Sequence, residues 1–184
     1  MSRPLPLLVG LMVITIYFAT TGCAGPSSTN TPCEMKPVDG TSTLRPYSTV
    51  YVEKVACAGD IVVPDDVLTT ATAKIVSGLS SGKRFVAVVQ APPSSGDFLR
   101  LSEHIIQYDP GNRFLRTFGA SATLKIEVTA FDGSTGKALA KGYPTEYWAW
   151  GGALGAVRGI EDMMNSACDR IGSGVSGSFG QPSQ

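Results

Sequence analysis

Few side chains in this chain are able to make or break a covalent bond. Its 184 residues hold a single histidine, His104, and four cysteines, Cys23, Cys33, Cys57 and Cys168. Hydrolysis of the triad type needs a nucleophile, a histidine base and an acid within reach of one another. No Gly-x-Ser-x-Gly turn is present, so His104 alone would have to serve any Ser or Cys nucleophile. Glu103 adjoins it, but successive residues of a strand point to opposite faces and make no dyad. Asp65-Asp66 and Glu161-Asp162 fall in helices, where adjacent acids diverge and the helix N-terminus and solvent account for them. Gly172-Ser173-Gly174-Val175-Ser176-Gly177 has the letters of G-x-G-x-x-G, yet it follows a helix, whereas a dinucleotide site needs strand, turn and then helix. Gly78 to Lys83 and Gly133 to Lys137 lack both the spacing of a phosphate loop and a Ser or Thr after the lysine. These residues point to a protein that is not an enzyme, with no catalytic residue, no metal site and no cofactor. Lys and Arg number 15 against 15 Asp and Glu, and this balance excludes the basic excess of a nucleic-acid protein.

The spacing does support one modification. After Arg3, an apolar run from Leu5 to Ala19, about 15 residues, is broken only by Pro6, Gly10 and Thr15. It fits the core of a secretory signal and falls short of the roughly 20 residues that span a bilayer. Thr20-Thr21-Gly22-Cys23-Ala24 follows directly and resembles the bacterial lipobox, although the usual Leu three places before the Cys is Thr20 here. That resemblance implies removal of residues 1–22 as a lipoprotein signal peptide and acylation of the Cys23 thiol, several chains holding firmly where one holds marginally. Ala24 stands where an inner-membrane retention Asp would, which implies an outer-membrane lipoprotein facing the periplasm. The other reading is an ordinary signal peptide cut near Ala19 or Gly25, with Cys23 left as a plain thiol.

Cys33, Cys57 and Cys168 then remain, without a C-x-x-C spacing. An oxidising periplasm favours one disulfide. Three pairings are open; Cys33–Cys57, which would pin the tether to the first strand, is the one favoured.

These groups need a scaffold to place them, and with 43% hydrophobic and 16% charged residues the chain has the material for one core. Residues 23–46, rich in Ser, Thr, Pro and Gly, read as a flexible tether, 47–171 as one αβ domain, and 172–184 as a disordered Gly/Ser tail. Within the domain, Ser48 to Ala56 is rich in β-branched residues and reads as a strand. Leu68, Ala71, Ile75 and Leu79 have helical spacing, with acids in the first turn and Gly82 at the end. Phe85–Val89 and Leu99–Tyr108 read as strands, the second leading into the Asp109-Pro110-Gly111-Asn112 turn. Ala122, Leu124, Ile126, Val128 and Ala130 alternate with Thr123, Lys125, Glu127 and Thr129, which predicts a strand with one buried and one wet face. Asp132 to Lys137 is a turn, Ala138 towards Trp148 a strand, and Val157, Ile160, Met164, Ala167 and Ile171 the stripe of a closing helix. The predicted order is β-α-β-β-β-β-α, an α+β fold with two helices packed on one face of a mixed, mostly antiparallel sheet.

Tyr108-Asp109-Pro110-Gly111-Asn112-Arg113-Phe114, Gly119, Ala122, Asp132-Gly133-Ser134-Thr135-Gly136-Lys137 and Trp148-Ala149-Trp150-Gly151-Gly152 together resemble a bacterial lipoprotein family, domain of unknown function 4410. The likeness spans roughly Val50 to Ile171 and assigns no catalytic residue. The element order also resembles the small αβ domains of penicillin-binding-protein activator and curli secretion lipoproteins, in topology only.

Gly151, Gly155 and Gly159 recur every four residues, which reads as close approach of helix to sheet. Tyr147, Trp148 and Trp150 form an aromatic cluster that either caps the core or presents a partner-binding surface. The functional expectation is a lipid-anchored cell-envelope protein, bound to the membrane through its N-terminal lipid, acting as a binding or adaptor module for another envelope protein. A self-assembling structural lipoprotein built on homo-oligomers is the alternative, and an envelope enzyme the weakest reading.

Overall fold

The structure, a computed structural model, describes residues 33–40, 43–109, 118–151 and 160–182, with the side chains of 118–120, 148–151 and 160 outside that description. Cys23, the residues of the Asp109–Asn112 turn beyond Asp109, and Gly155 and Gly159 therefore lie outside the described residues.

Alternation governs the long strands. Strand β5 (Leu99–Asp109) puts Leu99, Leu101 and Ile105 inward, and β6 (Phe118–Asp132) does the same with Ala122, Leu124, Ile126, Val128 and Ala130. The two pair antiparallel with Leu101 opposite Ala130 and Ile105 opposite Ile126, so the apolar sets share one face. Helices α1 (Asp65–Ser81) and α2 (Ile160–Phe179) pack on each other and on that face. Ala71, Ile75 and Leu79 of α1 meet Met163, Met164, Ala167, Ile171, Val175 and Phe179 of α2 in a single core. The expected α+β architecture is thus observed: an open, mixed sheet of eight strands covered by helices on one face. No helix among the described residues is long and apolar enough to cross a membrane.

The remaining strands complete the sheet in the order β1-β7-β6-β5-β2-β4, with β3 on β5 and β8 on β6. The single strand expected over 48–56 is two, β2 (Thr49–Val52) and β3 (Ala56–Cys57), both parallel to β5. At the break the Val55 N–H donates to Thr72 Oγ1 of α1 at 3.0 Å, so a helix side chain replaces the missing ladder bond. Strand β4 (Ala87–Val89) pairs parallel with β2. The strand expected from Ala138 to Trp148 is also two, β7 (Ala138–Gly142) and β8 (Thr145–Gly151), lying end to end along β6. Pro144, which has no N–H to donate, stands at the division.

Both predicted disordered flanks need correction. Residues 33–37 belong to the domain: Cys33 and Met35 are buried, and β1 (Lys36–Pro37) pairs with β7. At the other end α2 continues through Gly172 to Phe179, where a tail was expected. Val175 and Phe179 extend the buried stripe from Ile171 by steps of four. The small residues between them serve close packing. A Cβ on Gly174 would lie 1.9 Å from the Cys33 carbonyl oxygen, and one on Gly172 would touch the backbone of Gly78 in α1. Composition suggested flexibility, whereas burial of Val175 and Phe179 outweighs a helix penalty of about 1 kcal/mol per glycine.

The Cys33–Cys57 disulfide is a further correction. Cys33, Cys57 and Cys168 are free thiols. Cys33 packs on Gly142 of β7, while Cys57 in β3 is separated from β7 by β5 and β6. Successive strand spacings of about 4.8 Å put them well beyond bridging range.

Candidate functional site

The turn with the distinctive spelling Asp132-Gly133-Ser134-Thr135-Gly136-Lys137 is a fastening. Asp132 Oδ1 accepts from the Ser134 N–H (3.0 Å), Ser134 Oγ (2.6 Å), the Thr135 N–H (2.9 Å) and Thr135 Oγ1 (3.1 Å). Oδ2 accepts from the Tyr47 hydroxyl at 3.0 Å and from Arg45 Nη2 at 3.1 Å. Ser134 and Thr135 first, then Tyr47 and Arg45, hold the Asp132 carboxyl well below the usual carboxylate range. Gly136 has φ +71°, and a Cβ on Gly133 would strike the Phe98 ring, so both glycines follow from the turn's shape. Arg45 also forks onto Asp97, with Nη2 2.7 Å from Oδ1, and its guanidinium lies 4.2 Å from the Tyr47 ring centroid. The Tyr47 N–H donates to the Phe179 carbonyl at 2.8 Å, and burial, with the bond to Asp132, pushes its phenol up to about 12. One acid therefore ties the segment entering the sheet to the end of β6 and, through Tyr47, to the end of α2. Both oxygens of Asp132 are thus engaged by the protein itself, as a structural tie requires.

Beneath the helices lies the reverse case. Glu103 projects from β5 into the core, is 1% exposed, and neither carboxyl oxygen has a hydrogen-bond partner. Burial, and then the charge of Glu53, raise its pKa to about 8. Burial chiefly, with Glu103's charge in support, also pushes the Cys33 thiol up to about 12, and the Cys168 thiol reaches the same value mainly through burial. Both thiols are therefore poor nucleophiles at neutral pH. The inward series Leu99, Leu101, Ile105 could have placed position 103 on the buried face from sequence alone. His104 points to the other face, as expected of a neighbour in a strand, and no dyad forms. A second buried acid, Glu146 of β8, is held by Arg170 of α2 at 3.0 Å.

The sheet face away from the helices carries charged and aromatic side chains among the described residues. Across it Arg100 lies over the Phe131 ring at 4.2 Å and 3.4 Å from Glu53, while Glu127 accepts from Lys141 at 3.0 Å and from the Tyr143 hydroxyl at 2.9 Å. Lys125 sits 5.4 Å from the Tyr143 ring. Desolvation notwithstanding, Lys141 and Tyr143 lower the Glu127 pKa. Tyr143 and Tyr147 are exposed to solvent. Of the aromatic cluster that the sequence left between core cap and partner surface, Tyr147 has a described side chain; Trp148 and Trp150 belong to β8 by backbone, their side chains lying outside the described residues. Cations, the carboxylates of Glu53 and Glu127, and aromatic rings on the sheet make a surface suited to recognition. Among the described residues no three His, Cys, Asp or Glu side chains converge to hold a metal.

No family model and no curated protein matches the chain, so membership of the family of domain of unknown function 4410 is not established. Solved structures share the fold. A protein from Xanthomonas campestris, XCC0632, of the family of domain of unknown function 330, superposes with a TM-score of 0.54 at 10% identity, over 78% of this chain and 94% of its own. A PelC variant crystallised as a dodecamer, from Paraburkholderia phytofirmans, superposes with a TM-score of 0.50 at 16% identity, over 86% of this chain and 100% of its own. At these identities the chain is similar to both in fold.

Proposed function

We propose that this chain is a lipid-anchored cell-envelope protein, held at the outer membrane by acyl chains on Cys23 and facing the periplasm, whose α+β domain is a binding or adaptor module for another envelope protein. The observation that carries the reading is the uncovered sheet face, with Arg100, Lys125, Tyr143 and Tyr147 on a scaffold fixed by the strands. Cys33 is already buried in the core, ten residues beyond Cys23 in sequence, so a short stretch of chain joins the proposed lipid to the domain. A photo-crosslinker placed at Tyr143 or Tyr147 in native envelopes should yield one discrete adduct, absent when the probe sits at exposed Ser77 on α1. Equal labelling from all three positions, or none from the tyrosines, overturns the binding role. Intact mass of the membrane-extracted protein should show residues 1–22 removed and acyl chains on Cys23.

Self-assembly is the second reading. It is favoured by β4, which pairs only with β2 and so stands at an open edge of the sheet, and by the dodecameric state of the PelC neighbour.

A further inference from the structure

We propose that the two ends of α1 are the halves of one head-to-tail interface, the basic end of one copy seating on the acidic end of a second copy of this chain. This rests on the self-assembly reading and specifies its contact.

After α1, the residues Gly82, Lys83, Arg84, Phe85 and Val86 line an open groove of about 510 Å³ whose far wall is Gln181 and Pro182. Among the described residues, two cations and no acid line it. Val86 projects from its rim, 85% exposed. Lys83 has φ +52°, the only non-glycine among the described residues with positive φ, at a helix end where glycine usually stands.

The start of α1 is the counterpart. Asp65 and Asp66 open the helix, with Asp60 five residues before it in sequence, and Lys54 lies 2.7 Å from Asp65. Asp60 and Asp66 face solvent, and Val62 beside them is 83% exposed. Val62 and Val86 are the two most exposed large apolar residues described, and each sits amid charge of opposite sign. The 17 residues of α1 hold the two corners about 25 Å apart. A patch that complements a different patch on the same molecule makes a heterologous contact, which repeats into a ring or a fibre. An acidic peptide would answer the basic groove alone, whereas a second copy answers both the groove and the exposed Val62 beside the acids.

Sedimentation velocity of the full chain in detergent micelles, at low and high salt, tests the interface. The wild type should form oligomers that dissociate as salt rises. Lys83→Glu/Arg84→Glu makes both ends acidic, and Asp60→Lys/Asp66→Lys makes both basic. Each should associate at least about ten-fold more weakly while keeping its circular dichroism, and an equimolar mixture of the two should regain assembly. A monomeric wild type overturns self-assembly altogether. An oligomeric wild type whose variants assemble unchanged overturns this interface alone, and monomeric variants that stay apart on mixing overturn the charge pairing.

Discussion

Asp132 and Glu103 lie on neighbouring strands and are both withdrawn from water, yet they are treated in opposite ways. Asp132 receives bonds from Ser134, Thr135, Tyr47 and Arg45, keeps its charge, and fastens the entry to the sheet. Glu103 receives none and is driven towards its neutral form by burial. The difference lies in position: a strand end has turn N–H groups and hydroxyls within reach, whereas the middle of a strand has spent its backbone donors on the ladder. A buried acid stabilises only where spare donors surround it.

The largest test breaks the satisfied acid. Asp132→Ala strands a phenol and the turn donors and leaves the Arg45 guanidinium to Asp97 alone, and should cost about 3 kcal/mol in urea unfolding. Amide exchange at Tyr47 and Gly180 should accelerate with it. Unchanged stability would mean that water replaces the carboxylate without loss.

Glu103→Leu should move stability the other way, by about 1–3 kcal/mol at pH 7, because an unpartnered carboxyl gives place to an apolar side chain. The pH dependence separates the two acids by sign. Glu103 has a raised pKa, so folding takes up a proton between about 4.5 and about 8; stability should fall as pH rises through that window and level above it. Glu103→Gln should flatten that slope. Asp132 is depressed, so its contribution is present above the unfolded carboxylate pKa of about 4 and is lost as pH falls below it. Thermal melts from pH 3 to 9 read both limbs.

The smallest effect sharpens the clasp. Arg45→Lys keeps the charge but loses the fork on Asp97, an exposed pair, and should cost under about 1 kcal/mol. A loss as large as that of Asp132→Ala would move the clasp's anchor from the acid to the arginine.

Much of the scaffold was legible because its signals are local and periodic. The alternation from Ala122 to Ala130, the stripe Ala71, Ile75, Leu79 and the turn at Asp132 each act within a few residues, and the structure realises all three. The breaks at Val55 and Pro144 were less legible, since the donor that resolves the first, Thr72, arrives from another element. The free state of Cys33 and Cys57 was not legible, because strand order sets their separation. Of the surface candidates, Tyr147 was visible as an aromatic in sequence; its exposure depends on which sheet face the helices cover.

By itself the sequence determined the α+β class, the order of the two helices and the long strands, the inward face of those strands and the scarcity of catalytic groups, all properties of residue type and spacing. Only the tertiary structure decided that Gly172 to Phe179 is helix, that Glu103 has no partner and that Asp132 has a full set. Those outcomes depend on which groups arrive from distant parts of the chain, and packing rather than local preference brings them together.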